Sequence, residues 1–237
     1  MKEYELHRLN DNQKRLAESN LQSALKYLDD LKQKYPRLLV VRLDLYYRAK
    51  HQQNKTLANL QSDRDKFLNN RHRYEYFDSL VGYVWCFEYG NKKTVHCHML
   101  LLFDGKHRCK DEWIGRQLGE RWEEITKGHG GYFNSNASDS KSRLRKWQAS
   151  GGEYLDNLKQ VFGVQRGQAL MLMTHKNLLK GSNTLAVGMV KNTSKVGWAN
   201  LQMQMHYFTK LEQAIPGEER PWIRCFGKGQ VCTLSHH

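Results

Sequence analysis

Two strand-like runs joined by one polar turn constrain this chain more than any other feature. Val81–Glu88 and Val95–Phe103 are rich in β-branched, aromatic and aliphatic residues, and Tyr89-Gly90-Asn91-Lys92-Lys93-Thr94 between them carries Gly-Asn turn chemistry. An antiparallel hairpin closes such a pattern most economically. The second run opens on Val95-His96-Cys97-His98. Side chains on a strand alternate between faces, so His96 and His98 share a face with Cα atoms roughly 6.5 Å apart, and Cys97 points the other way.

Helical and strand signals alternate around the hairpin. Residues 1–35 place Leu16, Leu21, Leu25, Leu28 and Leu31 near helical spacing, which predicts an amphipathic helix or helix pair stopped by Pro36. Leu38–Tyr47 predicts a strand, 47–55 a polar basic loop, and 56–76 a helix with Leu57, Leu60, Phe67 and Leu68 turned inward. Asp111–Thr126 predicts a helix with an acidic first turn and an apolar stripe of Trp113, Leu118, Trp122 and Ile125. Residues 127–152, rich in Gly, Ser, Asn and Lys, read mostly as mobile loop with a short helical stretch at Ser142–Gln148; 153–180 give no clear pattern. Thr184–Val190 predicts a strand and Trp198–Ala214 a helix closed by Pro216 and Gly217, followed by a basic, aromatic tail. The expected organisation is a helical extension over 1–35 and one core domain over 36–237, with 127–182 a loop-rich insertion.

Chemistry gathers at two places. Glu88 ends the first strand of the hairpin, so pairing sets it beside His96 and His98 as a compact N,N,O group. That donor set suits Mg²⁺ or Mn²⁺ in a phosphate enzyme, and zinc also fits it. Strand histidines are also found as satisfied surface or core residues, and spacing alone does not separate the two readings. The second place is His206-Tyr207-Phe208-Thr209-Lys210. On a helix Tyr207 and Lys210 share a face. A phenol with an ordinary pKa near 10 is a poor nucleophile, and a neighbouring cation with a metal-polarised phosphate would activate it. The competing reading is core packing by Tyr-Phe, with Lys210 in solvent. Tyr154 is a rival nucleophile without a lysine at i+3.

Charge narrows the class of partner. Thirty-eight Lys and Arg against 24 Asp and Glu give +14. Such a surplus points to nucleic acid, with 12 Tyr and 6 Trp available for stacking, although a basic and inert surface has the same composition. Five cysteines, an odd number without C-x-x-C spacing, no signal-like start and no long apolar run predict a cytoplasmic chain with reduced thiols, neither secreted nor membrane-spanning.

Laid in order, V-V-R-L-D-L-Y-Y, F-E-Y-G-N-K-K-T-V-H-C-H-M-L-L-L-F-D-G, Y-F-T-K-L-E-Q and R-C-F-G-K-G-Q resemble the replication initiator proteins of inoviruses and related prophages, within the HUH endonuclease superfamily. The resemblance spans about residues 38–230. It implies an α+β fold in which a central antiparallel sheet carries the histidine pair and helices flank it. It implies His96, His98 and Glu88 as metal ligands, Tyr207 as nucleophile and Lys210 as a phosphate-neutralising partner. The strand around Arg42 and Asp44 is expected to lie beside the site, with Arg42 a candidate phosphate contact or else an exposed or structurally paired charge. Arg220, Arg224 and Lys228, with Trp222 and Phe226, are candidates for holding DNA or for a solvated basic tail. Cys97 is smaller than the usual middle residue of the triplet, and no second tyrosine lies a helical turn from Tyr207.

The function expected is nicking of one strand at a replication origin, leaving a 5′-phosphotyrosine and a 3′-OH that starts rolling-circle replication in a bacterial host. Expected partners are single-stranded or supercoiled origin DNA and the host helicase and polymerase, with a homodimer open and no membrane. A relaxase or single-tyrosine transposase would use the same chemistry. A non-catalytic DNA-binding regulator or a zinc-stabilised module are the readings from other classes.

Overall fold

The architecture follows from a sheet that is apolar on both sides. The computed structural model describes residues 11–69, 71–89, 95–140, 187–209 and 224–231. Within them run α1 (Asp11–Lys34), β1 (Arg37–Tyr47), α2 (Leu57–Leu68), β2 (Leu80–Tyr89), β3 (Val95–Asp104), α3 (Asp111–Ile125), β4 (Gly130–Asn134), β5 (Gly188–Lys191), α4 (Lys195–Thr209) and β6 (Phe226–Lys228). The six strands make one antiparallel sheet in the order β4-β1-β3-β2-β6, and β5 pairs with the far part of β1. The hairpin expected from the sequence is β2–β3, and β3 is central, as the α+β reading requires.

Each sheet face carries its own core. On one, Leu39, Val41, Leu43, Cys97, Met99 and Leu101 pack beneath α2 and α3 through Leu60, Phe67, Leu118 and Trp122. On the other, Leu38, Val40, Val84, Leu100 and Leu102 pack beneath α1 and α4 through Leu28, Leu31, Trp198, Leu201 and Met205. Burial of these aliphatic and aromatic side chains, each contributing about 1.5–3 kcal/mol, holds helices to both faces. Of the α1 leucines, Leu21, Leu28 and Leu31 are buried and Leu25 is partly so, whereas Leu16 is 61% exposed and not part of the apolar face. Among the described residues no helix is long and apolar enough to cross a membrane.

Several boundaries differ from the sequence reading. The basic stretch after β1 folds as a 3₁₀ helix, Ala49–Asn54. The helix expected over 56–76 ends at Leu68 and gives way to short 3₁₀ turns. Its start is fixed by a capping box: the Thr56 hydroxyl accepts from the Asn59 N–H at 3.3 Å, and the Thr56 N–H donates to Asn59 Oδ1 at 2.9 Å. The loop expected from 127 contains β4, whose Gly-Gly-Tyr-Phe-Asn sequence disguises a strand. β4 is held by β1 on one side and by α3 on the other, where Gly119 admits the Tyr132 ring. The basic tail contributes β6 on the β2 edge. The stretches at 142–148 and 153–180 lie outside the described residues.

One buried side chain bridges the break where β4 leaves the β1 edge and β5 joins it. Asn136 accepts the Arg42 N–H at 2.9 Å and donates through Nδ2 to the Val40 carbonyl at 2.8 Å and to Asp111 at 2.7 Å. It bonds β1 backbone groups at that break, where β4 pairing begins at Leu43 and β5 pairing ends at Val40.

Candidate metal centre

Register across three strands builds the site. Glu88 lies opposite His96 in the β2–β3 pair, and Asp44 lies opposite His98 in the β1–β3 pair. Directly opposed residues share a face, so Glu88, His96, His98, Asp44 and Arg42 all look toward the side covered by α1 and α4. Cys97 looks the other way, buried in the α2–α3 core, where burial pushes its thiol well above the ordinary range.

The ligand atoms of Glu88, His96 and His98 lie within 4.8 Å of one another, close enough to hold one metal ion. His96 Nε2 and His98 Nε2 face each other at 3.2 Å. Glu88 Oε2 stands 2.6 Å from His98 Nε2 and 3.6 Å from His96 Nε2. The far side of the His98 ring is held by Asp44, with Nδ1 2.6 Å from Oδ1. His98 is thus clamped between two carboxylates, with only 5% of its surface exposed.

That clamp fits a cation. If Nδ1 carries the proton toward Asp44, the Nε2 lone pair faces the Glu88 carboxylate, and two acceptors cannot rest at 2.6 Å without a proton or a cation between them. A second proton shared between the imidazole and Glu88, or a metal ion, meets that need. Burial alone would lower the His98 pKa, but Asp44 and Glu88 outweigh burial and raise it. Burial alone would raise the Asp44 pKa, but His98 and Arg42 outweigh it and hold the carboxyl well below the usual carboxylate range. A carboxylate behind a ligating histidine is a recurring second partner of protein metal sites.

Tyr207 completes the group from α4. Its Oη lies 3.0 Å from His98 Nε2 and donates to Glu88 Oε2 at 3.2 Å. Its ring meets His98 edge-on at 5.2 Å, and the Arg42 guanidinium lies 5.0 Å from the ring centre. Arg42 is itself fixed by Gln204, whose Oε1 accepts from Nη1 at 2.7 Å, and by Asp44 at 3.5 Å. Burial raises the phenol pKa, the Glu88 charge raises it further, and Arg42 opposes both.

The residues singled out in the sequence fare unevenly. Glu88, His96, His98, Tyr207 and Arg42 come together in one place. Lys210, Arg220 and Tyr154 lie outside the described residues. Arg224 is exposed at the start of the β6 segment. Lys228 stands opposite Val84 with its ammonium 4.9 Å from the Tyr27 ring centre, and lines a separate cavity with Arg71 and Tyr83, away from the histidines. The role of Asp44 as the partner of His98 and that of Gln204 as the anchor of Arg42 escaped the sequence reading. Alternation puts Asp44 on the same strand face as Arg42 and helical spacing puts Gln204 one turn before Tyr207, but the partner of each lies on another element that no local spacing identifies.

A family model described as YagK/YfjJ C-terminal domain matches residues 2–166. The match covers the strands that carry Glu88, His96, His98 and Asp44, and stops before α4 and Tyr207. Comparison with curated proteins gave no match, and comparison with solved structures gave none either.

Proposed function

The chain belongs to the YagK/YfjJ C-terminal domain family, and we propose that it is a metal-dependent DNA-nicking enzyme that starts rolling-circle replication through a tyrosine nucleophile. One observation carries the reading: the Tyr207 hydroxyl sits 3.0 Å and 3.2 Å from atoms of the same His98 and Glu88 that can hold a metal ion. Any buried phenol needs an acceptor, but core packing alone does not require that acceptor to belong to a group able to hold a cation, as it does here.

His96, His98 and Glu88 would hold a divalent cation such as Mg²⁺ or Mn²⁺. When bound, it supplies a Lewis acid that draws charge from a phosphodiester. Tyr207 provides the attacking oxygen. Its proton leaves along the existing hydrogen bond to the Glu88 carboxylate as the Oη–P bond forms. The P–O3′ bond breaks, and the departing 3′-oxygen takes up a proton from solvent, to which Glu88 later returns the one it received. The products are a 5′-phosphotyrosine and a 3′-OH, and the ester keeps the energy needed for later rejoining. Arg42, beside the ring, favours the phenolate and can stabilise charge on the transferring phosphate. Asp44 keeps the His98 ring oriented.

Relaxases and single-tyrosine transposases would use the same geometry. The assignment to origins therefore rests on the likeness of H-C-H, Y-F-T-K and R-C-F-G-K-G to inovirus initiators.

The test is nicking of supercoiled DNA carrying the replicon's origin, with Mn²⁺ or Mg²⁺. Wild type is expected to leave a covalent protein–DNA adduct, and Tyr207→Phe to leave none. An adduct that survives in Tyr207→Phe, or undiminished activity in His96→Ala, would overturn the reading.

A further inference from the structure

Four large apolar side chains are prominently exposed among the described residues, and two of them lie together beside the metal centre. Tyr46 is 37% and Phe133 41% exposed. Tyr46 stands opposite His96 in the β1–β3 pair and opposite Gly131 in the β1–β4 pair. Phe133 stands opposite Asp44, the partner of His98. Opposed residues share a face, so both rings lie on the face that carries Glu88, His96 and His98.

Local sequence shapes this pair. At Gly131 a Cβ would meet Tyr46 Cε2 at 2.9 Å, so the missing side chain lets the ring lie over β4. Tyr46 and Phe133 are then diagonal neighbours across two strands, about 7–8 Å apart at the backbone. The intervening β4 residue, Tyr132, turns instead toward α3. Phe133 lies two strands from His98, about 10 Å away by strand spacing, which is the scale of one or two nucleotides.

Both residues keep more than a third of their surface in solvent. The surroundings suit a polyanion with flat faces. Lys50 and Lys127 are exposed at the end of the sheet where β1 finishes and β4 begins, beside Arg48, which is paired with Glu123, and the whole chain carries +14. Exposed aromatics with cations along one sheet edge bind unpaired bases by stacking and their backbone by charge.

We propose that Tyr46 and Phe133 form a stacking platform for unpaired bases of a nucleic-acid strand led to the metal centre. The proposal rests on the nicking function for its setting and restricts the substrate to a melted or single-stranded segment. The rings contribute stacking; the Tyr46 hydroxyl, lying toward Gly131, contributes nothing essential.

The test uses the full chain with Tyr207→Phe, without metal, so that binding is read apart from cleavage. The probes are a labelled single-stranded oligodeoxynucleotide of mixed sequence, about 20 nucleotides long to exceed one binding site, and its duplex, followed by anisotropy across a salt series. Tyr46→Ala and Phe133→Ala are each expected to weaken single-strand binding about five- to 150-fold. Duplex binding and the salt slope should stay unchanged, because no phosphate contact is removed. Tyr46→Phe and Phe133→Trp, which keep the faces, should bind the single strand as the parent does. Alanine variants that bind the single strand like the parent, or that lose single strand and duplex equally, would overturn the platform. Loss of binding in Tyr46→Phe would also overturn it, by placing the effect in the hydroxyl. The two ideas fail separately: selective single-strand loss with no nicking by the wild-type chain removes the enzyme and keeps the platform. Nicking by wild type with unaltered binding in the alanine variants does the reverse.

Discussion

Replacing Asp44 with Asn tests the construction of the metal centre without touching a ligand. Asn keeps the shape and can still accept from His98 Nδ1, now 2.6 Å from Asp44 Oδ1. It removes the charge that makes His98 a better donor toward a cation. Loss of such a partner typically costs 10–100-fold in metal affinity. At a metal concentration well above Kd, that removes about 1.4–2.7 kcal/mol of metal-linked stability. Calorimetric titration of Mn²⁺ into wild type and Asp44→Asn should show the weaker Kd, and thermal melts with and without metal should show the smaller gain.

The metal-free melts carry a second signature of the same pair. Asp44 has a depressed pKa in the fold, so its stabilising effect is present above the unfolded carboxylate pKa and is lost as pH falls through the lower folded value. His98 has a raised one, so its contribution is full below the unfolded imidazole pKa and is lost as pH rises through the folded value. Wild type should therefore exceed Asp44→Asn most clearly between those limits, in mildly acidic buffer, and less in alkali. Asp63→Asn is the control: Asp63 accepts from Tyr47 Oη at 2.8 Å on the opposite face, so its loss should lower stability and leave metal affinity alone. Equal Mn²⁺ affinity in wild type and Asp44→Asn would refute the assignment of Asp44.

Gly119→Ala sets helix propensity against packing. Alanine should gain up to about 1 kcal/mol in α3, but its Cβ would fall 2.2 Å from Tyr132 ring atoms, an overlap that typically costs 1–3 kcal/mol. A lower melting temperature is expected, and a rise would show that β4 yields easily. Thiol reactivity should follow burial. At pH 8, iodoacetamide read by peptide mass spectrometry should modify exposed Cys109 first, with Cys86 and Cys97 protected and Cys225 slow because burial pushes its thiol up to about 11. Equal rates at Cys109 and Cys97 would contradict the packed sheet.

The sheet was legible where the sequence has a clean period. β2 and β3 announce themselves through strand-forming runs and a Gly-Asn turn, and α3 through its apolar stripe and acidic first turn. β4 and β6 were not, because each is short and glycine-containing and owes its state to an edge already built. Gly227 makes the point: a Cβ there would lie 2.5 Å from the Trp85 ring, so what reads as a turn residue is a packing requirement. The grouping of Glu88, His96 and His98 needed only strand alternation and hairpin pairing. Asp44 needed the β1–β3 register, which joins positions 54 residues apart, and no local pattern encodes that pairing.

Charge explains why these particular residues surround the phenol. Glu88 and Asp44 bring two negative charges to the site, and Arg42 returns one positive. With neutral imidazoles the set is one charge short of balance, which a single extra proton on His98 corrects. A divalent cation in place of that proton instead leaves one positive charge over. That surplus is what an incoming phosphodiester, carrying one negative charge, would neutralise. Tyr207 fits the same logic: burial and Glu88 favour the neutral phenol, so under the proposed function it would add no charge until phosphate and cation were both present. A lysine at position 88 would invert this balance, placing a fixed cation where a metal ion would be held. Glu88→Lys should therefore abolish Mn²⁺ binding while keeping His98 deprived of its second carboxylate. If calorimetry found Mn²⁺ bound as tightly to Glu88→Lys as to wild type, the site would lie elsewhere on the chain.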